Sequence, residues 1–147
     1  MRRVLLGLVL AMACGCADAA PFVIRTAGAD TAIAIDMSSI RGVTHYRTGW
    51  TYEFFRERNW LFGSRTQIIG VLELVNCKTR FVRRLKVVHY LKDGTLLSRE
   101  GKAPAWTDTL RGSNTDLMTR AMCEGVSPAW ARRQAGDVFD LYGKAWR

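Results

Sequence analysis

The stretch that decides the fold is TQIIGVLELVNCKTRFVRRLKVVHYLKDGTLL, residues 66–97. It holds two runs rich in Ile, Val and Leu, at 66–76 and 80–91, which have the length and composition of β-strands. Residues 76–79 connect these runs, a length that suits a hairpin. The two strands are therefore predicted to be antiparallel neighbours.

The second half of this stretch extends the hairpin into a meander. Alternation with a period of two places Phe81, Leu85 and Val87 on one side of the second strand. Asp93 and Gly94 form a strong tight-turn signal before the next apolar residues. We expect a third antiparallel strand there.

Residues upstream of this stretch add two further strands. Residues 31–36 alternate apolar and small side chains, and the Ser-rich segment that follows suggests a turn. Residues 44–54 carry aromatic side chains at even positions, which share one strand face. These aromatic residues are Tyr46, Trp50, Tyr52 and Phe54. Residues 56–64 break the pattern and are interpreted as a loop.

The period changes after Gly112 and predicts a helix. Ser113 and Asp116 match a capping box, with a hydroxyl at the N-cap and a carboxylate three residues later. A helix from about Asn114 to Cys123 follows, and Gly125 is placed as its C-cap. The predicted fold class is α+β, an antiparallel sheet of about six strands with a C-terminal helix.

Residues 1–19 have the three parts of a secretory signal peptide: two arginines, an apolar run and a small-residue site that ends at Ala19. Cleavage after Ala19 is preferred because a cut one residue later would leave Pro21 beside the cleaved bond. A lipoprotein acylated at Cys14 or Cys16 is the alternative, although neither site has the large aliphatic residue that lipoprotein processing favours. The chain is therefore predicted to be exported.

Removal of the leader leaves two cysteines, Cys77 and Cys123. Outside the reducing cytoplasm, such a pair is more often a disulfide than a metal or redox site. Closing a loop of 46 residues is worth about 4 kcal/mol in the loop-entropy account. We expect one bridge that ties the end of the helix to the hairpin, and two unrelated buried thiols are the alternative.

Length and charge limit the organisation of the exported chain. Residues 20–125 are predicted to form one domain, and 126–147 form a basic-aromatic tail that is either partly helical or a loosely held arm. The formal charge is +9, and loss of the leader lowers it to +8. Such a charge favours anionic partners, including envelope polymers and acidic proteins, whereas export argues against nucleic acid.

The densest basic segment lies in the second strand of the hairpin. It supplies a candidate anionic-ligand patch formed by Arg80, Arg83, Arg84 and Lys86. On a regular strand, Arg80, Arg84 and Lys86 point one way and Arg83 points the other. A solubilising open sheet face is the alternative interpretation of the same residues.

The residues that could carry catalysis form no constellation in the sequence. His45 and His89 have no carboxylate or cysteine partner nearby and are interpreted as packed or surface residues of strands. Glu53 and Glu57 are interpreted as solvated charges. Phosphate loops, zinc-ligand spacings and nucleophile elbows are missing. We expect no catalytic residue, no metal, no cofactor and therefore no enzyme.

The order of short motifs along the chain is distinctive. The motifs are Asp36-x-x-Ser39-Ile40, Trp50 in an aromatic-rich strand, Cys77-x-x-Arg80-x-x-Arg83, Tyr90, Gly94, Trp106, Gly112-Ser113 and a helix ending in Cys123. This order resembles the surface-adhesin protein E family of Gram-negative bacteria over roughly residues 31–123. The chain departs from the family pattern at Thr109 and Arg111, where the family usually has an aliphatic residue and a proline.

The resemblance implies an exported protein whose C-terminal helix is tethered to an antiparallel sheet by a disulfide. It also implies a non-enzymatic binding role at the cell envelope, with host matrix or serum proteins as partners and a capacity to form a homodimer. A periplasmic accessory protein with the same fold and no host ligand is the alternative. The predicted location is the periplasm or the outer-membrane surface.

Overall fold

The two apolar runs of residues 66–97 form neighbouring antiparallel strands, as the sequence predicts. The computed structural model describes residues 22–26, 30–57, 66–101, 105–125 and 132–146, so the predicted signal peptide lies outside the described residues. Within this part of the chain, nine strands form one sheet. The strands are β1 (Phe22–Thr26), β2 (Thr31–Asp36), β3 (Arg41–Val43), β4 (Tyr46–Phe55), β5 (Ile68–Asn76), β6 (Phe81–Tyr90), β7 (Leu96–Glu100), β8 (Thr107–Asp108) and β9 (Arg132–Gln134). The described helices are α1 (Asn114–Glu124) and α2 (Val138–Lys144).

Each strand pairing in the described sheet is antiparallel. The order is β7-β6-β5-β4-β2-β1-β9, while β3 pairs with β4 and β8 pairs with β6 outside this path. The sheet has more strands than the sequence predicts, and three of the additional strands, β3, β8 and β9, have only two or three residues. Strands this short carry little pattern of their own and depend on pairing with a neighbour.

Side chains alternate between the two faces of the sheet, and each face packs against one helix. The α2 face is the side that contacts α2, and its buried core residues are Phe22, Ala32, Ala34, Phe54 and Ile68. The α1 face is the opposite side, and its buried core residues are Ile33, Ile35, Val75 and Val82. The even-numbered aromatic residues of β4 share the α2 face, as predicted.

A β-bulge in β6 changes which residues of that strand face each helix. The register between β5 and β6 shifts after Leu72, and Leu85 is the extra residue. Val87 pairs with Val71 on the α1 face, whereas Phe81 lies on the α2 face. The prediction that Phe81, Leu85 and Val87 share one side is therefore wrong, because it assumes an unbroken period of two.

Two turns predicted from the sequence are present. The carboxylate of Asp36 accepts hydrogen bonds from the backbone N–H groups of Ser38 and Ser39 at 3.0 and 3.1 Å, and it caps a single 3₁₀ turn. Gly94 has φ +87°, a left-handed conformation that glycine adopts without steric cost, and it turns the chain from β6 into β7.

The caps of α1 match the sequence prediction closely. Ser113 Oγ accepts the backbone N–H of Asp116 at 3.1 Å, and Asp116 Oδ2 accepts the backbone N–H of Gly112 at 3.0 Å. At the other end, Gly125 has φ 65° and donates its N–H to the carbonyl of Ala121. Local side-chain chemistry therefore determines where this helix begins and ends.

A disulfide joins Cys77 to Cys123, with a Cα–Cα distance of 5.5 Å and a sequence separation of 46 residues. It confirms the predicted link between the hairpin and the last turn of the helix. Both cysteines pack against the apolar core beneath α1. The bridge therefore holds α1 against the α1 face of the sheet at one end, while the buried residues of the helix hold it along its length.

The described part of the tail packs on the sheet. β9 pairs with β1 at the sheet edge, and Leu141 of α2 is fully buried in the core of the α2 face. The Tyr142 hydroxyl donates to the carbonyl of Phe55 at 2.8 Å. The described residues 132–146 thus share a sheet and a core with the strands that precede them, and the boundary at residue 126 stays a prediction.

Candidate functional site

The four basic residues predicted as an anionic-ligand patch are divided by the fold. Arg83 and Lys86 lie on the α2 face, and Arg84 lies on the α1 face. Arg80 lies in the hairpin turn, where its Nη2 donates to Glu124 Oε1 at 3.0 Å. The expectation that Arg84 and Lys86 point the same way is wrong because the bulge at Leu85 lies between them. Anion binding by these residues stays a prediction.

Arg83 and Lys86 instead join a set of aromatic residues on the α2 face. The set occupies three successive rows of cross-strand neighbours, each with one residue from β4, one from β5 and one from β6. The first row is Tyr46, Asn76 and Phe81, the second is Thr48, Leu74 and Arg83, and the third is Trp50, Leu72 and Lys86. Trp106 adds to the first row, since its ring centroid lies 6.2 Å from that of Tyr46. We call Tyr46, Trp50, Phe81, Arg83, Lys86 and Trp106 the aromatic-basic surface.

This surface exposes large rings to solvent. Tyr46, Phe81 and Trp106 are 38%, 41% and 38% exposed. Lys86 Nζ lies 5.9 Å from the centroid of the Trp50 ring, a cation-π geometry. Exposed aromatic rings beside an arginine have the composition of binding hot spots, in which Trp, Tyr and Arg are enriched.

The α1 face carries a different feature, a cavity of about 120 Å³ between the sheet and α1. Its polar lining includes Glu53 of β4, Glu73 of β5, Arg84 and His89 of β6, and Glu100 of β7. We call it the carboxylate cavity. A wider cleft of about 430 Å³ shares Glu73, Arg84 and Thr115 with it and leads outward past Asp108.

Glu73 is the most perturbed acid of the carboxylate cavity. Its side chain is only 3% exposed, and its Oε2 has no hydrogen-bond partner among the described residues. Burial raises the pKa of Glu73 to about 7; the Arg84 guanidinium opposes this shift, and the Glu53 carboxylate adds to it. Burial also raises the pKa of Glu53, again against the influence of Arg84. The cavity therefore holds an acid that changes protonation near neutral pH.

The interpretation of Glu53 as a solvated charge is wrong, although Glu57 is exposed as expected. Glu73 is a further functional candidate that is not among the residues predicted above. The signal for it is present, since a glutamate stands in the middle of the otherwise apolar strand IIGVLELV, residues 68–75. A charge at a buried strand position marks either a paired group or a site.

The histidines do not form a shared site in the described structure. His45 is exposed in the turn before β4, with its ring centroid 4.3 Å from that of Tyr46. His89 is buried on the α1 face, with Nδ1 3.5 Å from the Thr66 hydroxyl and Nε2 3.8 Å from Glu100 Oε1. The fold thus brings His89 a carboxylate that is eleven residues away in sequence.

The described ranges contain no group of three or more His, Cys, Asp or Glu side chains placed to hold a metal ion. They also contain no helix of sufficient length and apolar character to cross a membrane.

A family model described as surface-adhesin protein E matches residues 23–124. The match begins in β1 and ends at the last residue of α1, so β9 and α2 lie beyond it. No curated protein matches the chain.

Among solved structures, the chain is similar to the crystal structure of protein E from non-typeable Haemophilus influenzae. The TM-score is 0.49 and the sequence identity is 11%. The similarity covers 84% of this chain and 86% of that chain.

Proposed function

Because the chain belongs to the surface-adhesin protein E family, we propose that it is an exported, non-enzymatic envelope protein that binds a protein ligand through the aromatic-basic surface. The observation that carries this proposal is the exposure of Tyr46, Phe81 and Trp106 next to Arg83 and Lys86 on one sheet face. Export rests on the signal-peptide pattern of residues 1–19 and on the disulfide.

The proposed ligand is a host matrix or serum protein with an acidic and partly apolar contact area. Without the predicted signal peptide the chain has a formal charge of +8 and attracts acidic partners over long range, while the rings supply contact area that desolvates on binding. An anionic polymer held through its charges alone would not need the rings. Self-association into a homodimer stays a prediction, which sedimentation velocity tests directly.

Matched variants separate the proposed surface from the overall charge. Lys86→Glu changes the net charge as much as Arg120→Glu, but Arg120 is exposed on α1, on the opposite side of the sheet. Trp106→Ala removes a ring of the surface, whereas Leu110→Ala removes an exposed apolar side chain that lines the cleft on the α1 face. Binding to immobilised matrix and serum proteins is measured by surface plasmon resonance at several salt concentrations.

Lys86→Glu and Trp106→Ala are each expected to weaken binding at least tenfold, an effect typical of hot-spot residues. Arg120→Glu and Leu110→Ala are expected to leave affinity within about twofold. Equal losses in both pairs would contradict the assignment of the surface. Binding that disappears with added salt and is insensitive to Trp106→Ala would indicate a charge-driven polymer site instead.

Location is tested by protease shaving of intact cells, with a known periplasmic protein as the protection control. Digestion of this protein alone supports display on the outer surface and a role in adhesion. Protection until the outer membrane is breached would instead favour a periplasmic accessory protein with the same fold.

A further inference from the structure

The carboxylate cavity lies on the opposite face of the sheet from the aromatic-basic surface, and the proposed function makes no use of it. We propose that the carboxylate cavity is a binding site for a small primary alkylamine, held as its ammonium ion with Glu73 as the main acceptor. This inference goes beyond the adhesin role and stands or falls separately from it.

The charge balance of the cavity favours a cation. Three carboxylates line it, those of Glu53, Glu73 and Glu100, against the single guanidinium of Arg84. His89 is the remaining titratable group, and α1 closes the cavity with Thr115 and Met118, which carry no charge. Arg84 and Glu100 are both exposed, so water screens both of their charges, whereas Glu73 is buried. The carboxylates outnumber the guanidinium, so a bound cation would compensate negative charge that remains in excess in the protein alone.

The hydrogen-bonding capacity of the cavity fits an ammonium group. Glu73 Oε2 is buried without a hydrogen-bond partner among the described residues, an arrangement that is costly unless the carboxyl takes up a proton or a cation. An ammonium group offers three donors and no acceptor, so it satisfies such an oxygen directly. A metal ion is a poorer fit because the described acids and histidines are not grouped closely enough to ligate one.

Size and lining set the class of amine. A volume of about 120 Å³ equals that of roughly four water molecules, enough for an ammonium head with a short alkyl stem. Ile69, Val71, Val87 and Met118 supply an apolar wall for such a stem. The adjoining cleft shares Glu73, Arg84 and Thr115 with the cavity. A primary alkylamine of about four carbons meets these limits.

Methyl NMR of methionine tests this proposal on the purified, oxidised protein, because Met118 lines the cavity while Met37 and Met122 pack elsewhere under α1. The probe is n-butylammonium chloride, and n-butanol is its uncharged counterpart of similar shape. The Met118 resonance is expected to shift saturably with the amine and not with the alcohol, while the resonances of Met37 and Met122 stay unchanged.

The variants are Glu73→Gln, which keeps the shape of the side chain, and Glu57→Gln, which removes the same charge at an exposed position. Glu73→Gln is expected to abolish the amine-dependent shift, and Glu57→Gln to preserve it. Unchanged Met37 and Met122 resonances in Glu73→Gln show that the variant is folded. Proton competition at Glu73, whose pKa is about 7, is expected to weaken amine binding about tenfold between pH 8 and pH 6.

Three results would overturn the proposal. One is a Met118 resonance that does not move with the amine at pH 8. Another is an equal shift with butanol, which would make the space a neutral apolar cavity. The third is an unchanged amine response in Glu73→Gln. None of these results bears on the aromatic-basic surface, whose variants are tested with other ligands.

Discussion

Among single residues, Glu73 is the clearest exception to an apolar core, because its carboxyl group is buried. Its folded-state pKa of about 7 lies above the ordinary value of 4.5, so the folded state binds a proton more tightly than the unfolded chain does. Stability linked to Glu73 is therefore fully present below pH 4.5 and is lost as pH rises through 7. The shift corresponds to about 3 kcal/mol.

Glu73→Gln is expected to remove this loss, because an amide carries no charge to bury. Relative to the native chain, the free energy of unfolding of the variant should rise by about 3 kcal/mol between pH 4.5 and pH 8. Urea unfolding at both pH values measures it. Glu57→Gln serves as the control and should track the native chain. The free energies of unfolding of Glu73→Gln and the native chain could instead differ by the same amount at both pH values. That result would show that the Glu73 carboxyl is solvated or paired in the fold.

At the scale of elements, α1 depends on both its caps and its attachment to the sheet. Its N-terminus is satisfied by Ser113 and Asp116, and its last turn is tied to the hairpin through Cys123. The bridge constrains the unfolded chain, whereas the cap stabilises the folded helix directly. These contributions act at opposite ends of the same helix, so they should add.

The cap can be isolated by two substitutions at one position. Ser113→Ala removes the oxygen that accepts the N–H of Asp116 and should lower the free energy of unfolding by about 1 kcal/mol. Ser113→Asp keeps an acceptor there and should stay within about 0.5 kcal/mol of the native chain. Urea unfolding of the oxidised proteins measures both. Equal stability of the two variants would mean that packing alone holds this end of the helix.

In the molecule as a whole, the two faces of the sheet carry different features. The disulfide and the carboxylate cavity lie beneath α1, on the α1 face. The aromatic-basic surface lies on the α2 face, beside the core that packs against α2. Residues 132–146 complete the second core, although the family match ends at residue 124. We therefore expect residues 132–146 to contribute to the stability of the fold.

Leu141→Ala tests this role of the tail. Leu141 is 0% exposed, so truncation should lower the free energy of unfolding by about 3 kcal/mol, through lost burial and a residual cavity. Leu110→Ala is the matched control, because Leu110 is 78% exposed and should change stability by less than about 0.5 kcal/mol. Chemical unfolding followed by both far-ultraviolet circular dichroism and tryptophan fluorescence measures it. A Leu141→Ala variant as stable as the control would mean that α2 is dispensable.

Much of the fold is predictable from short-range patterns. Strand periodicity, the Asp93-Gly94 turn and the Ser113 cap each depend on a few adjacent residues, and each is present in the structure. The disulfide also follows from the sequence, since only one pair of cysteines remains after the leader. Local chemistry is sufficient for these features because their energies arise within a turn or two of chain.

Tertiary contacts decide the rest. The bulge at Leu85 separates Arg84 from Lys86, and that single extra residue determines which charges meet the aromatic rings and which meet Glu73. The pKa of Glu73 depends on burial by strands and a helix that are far apart in sequence. The pairing of β9 with β1 joins the two ends of the described chain. None of these has a local pattern, because register, burial and edge pairing are properties of the assembled sheet.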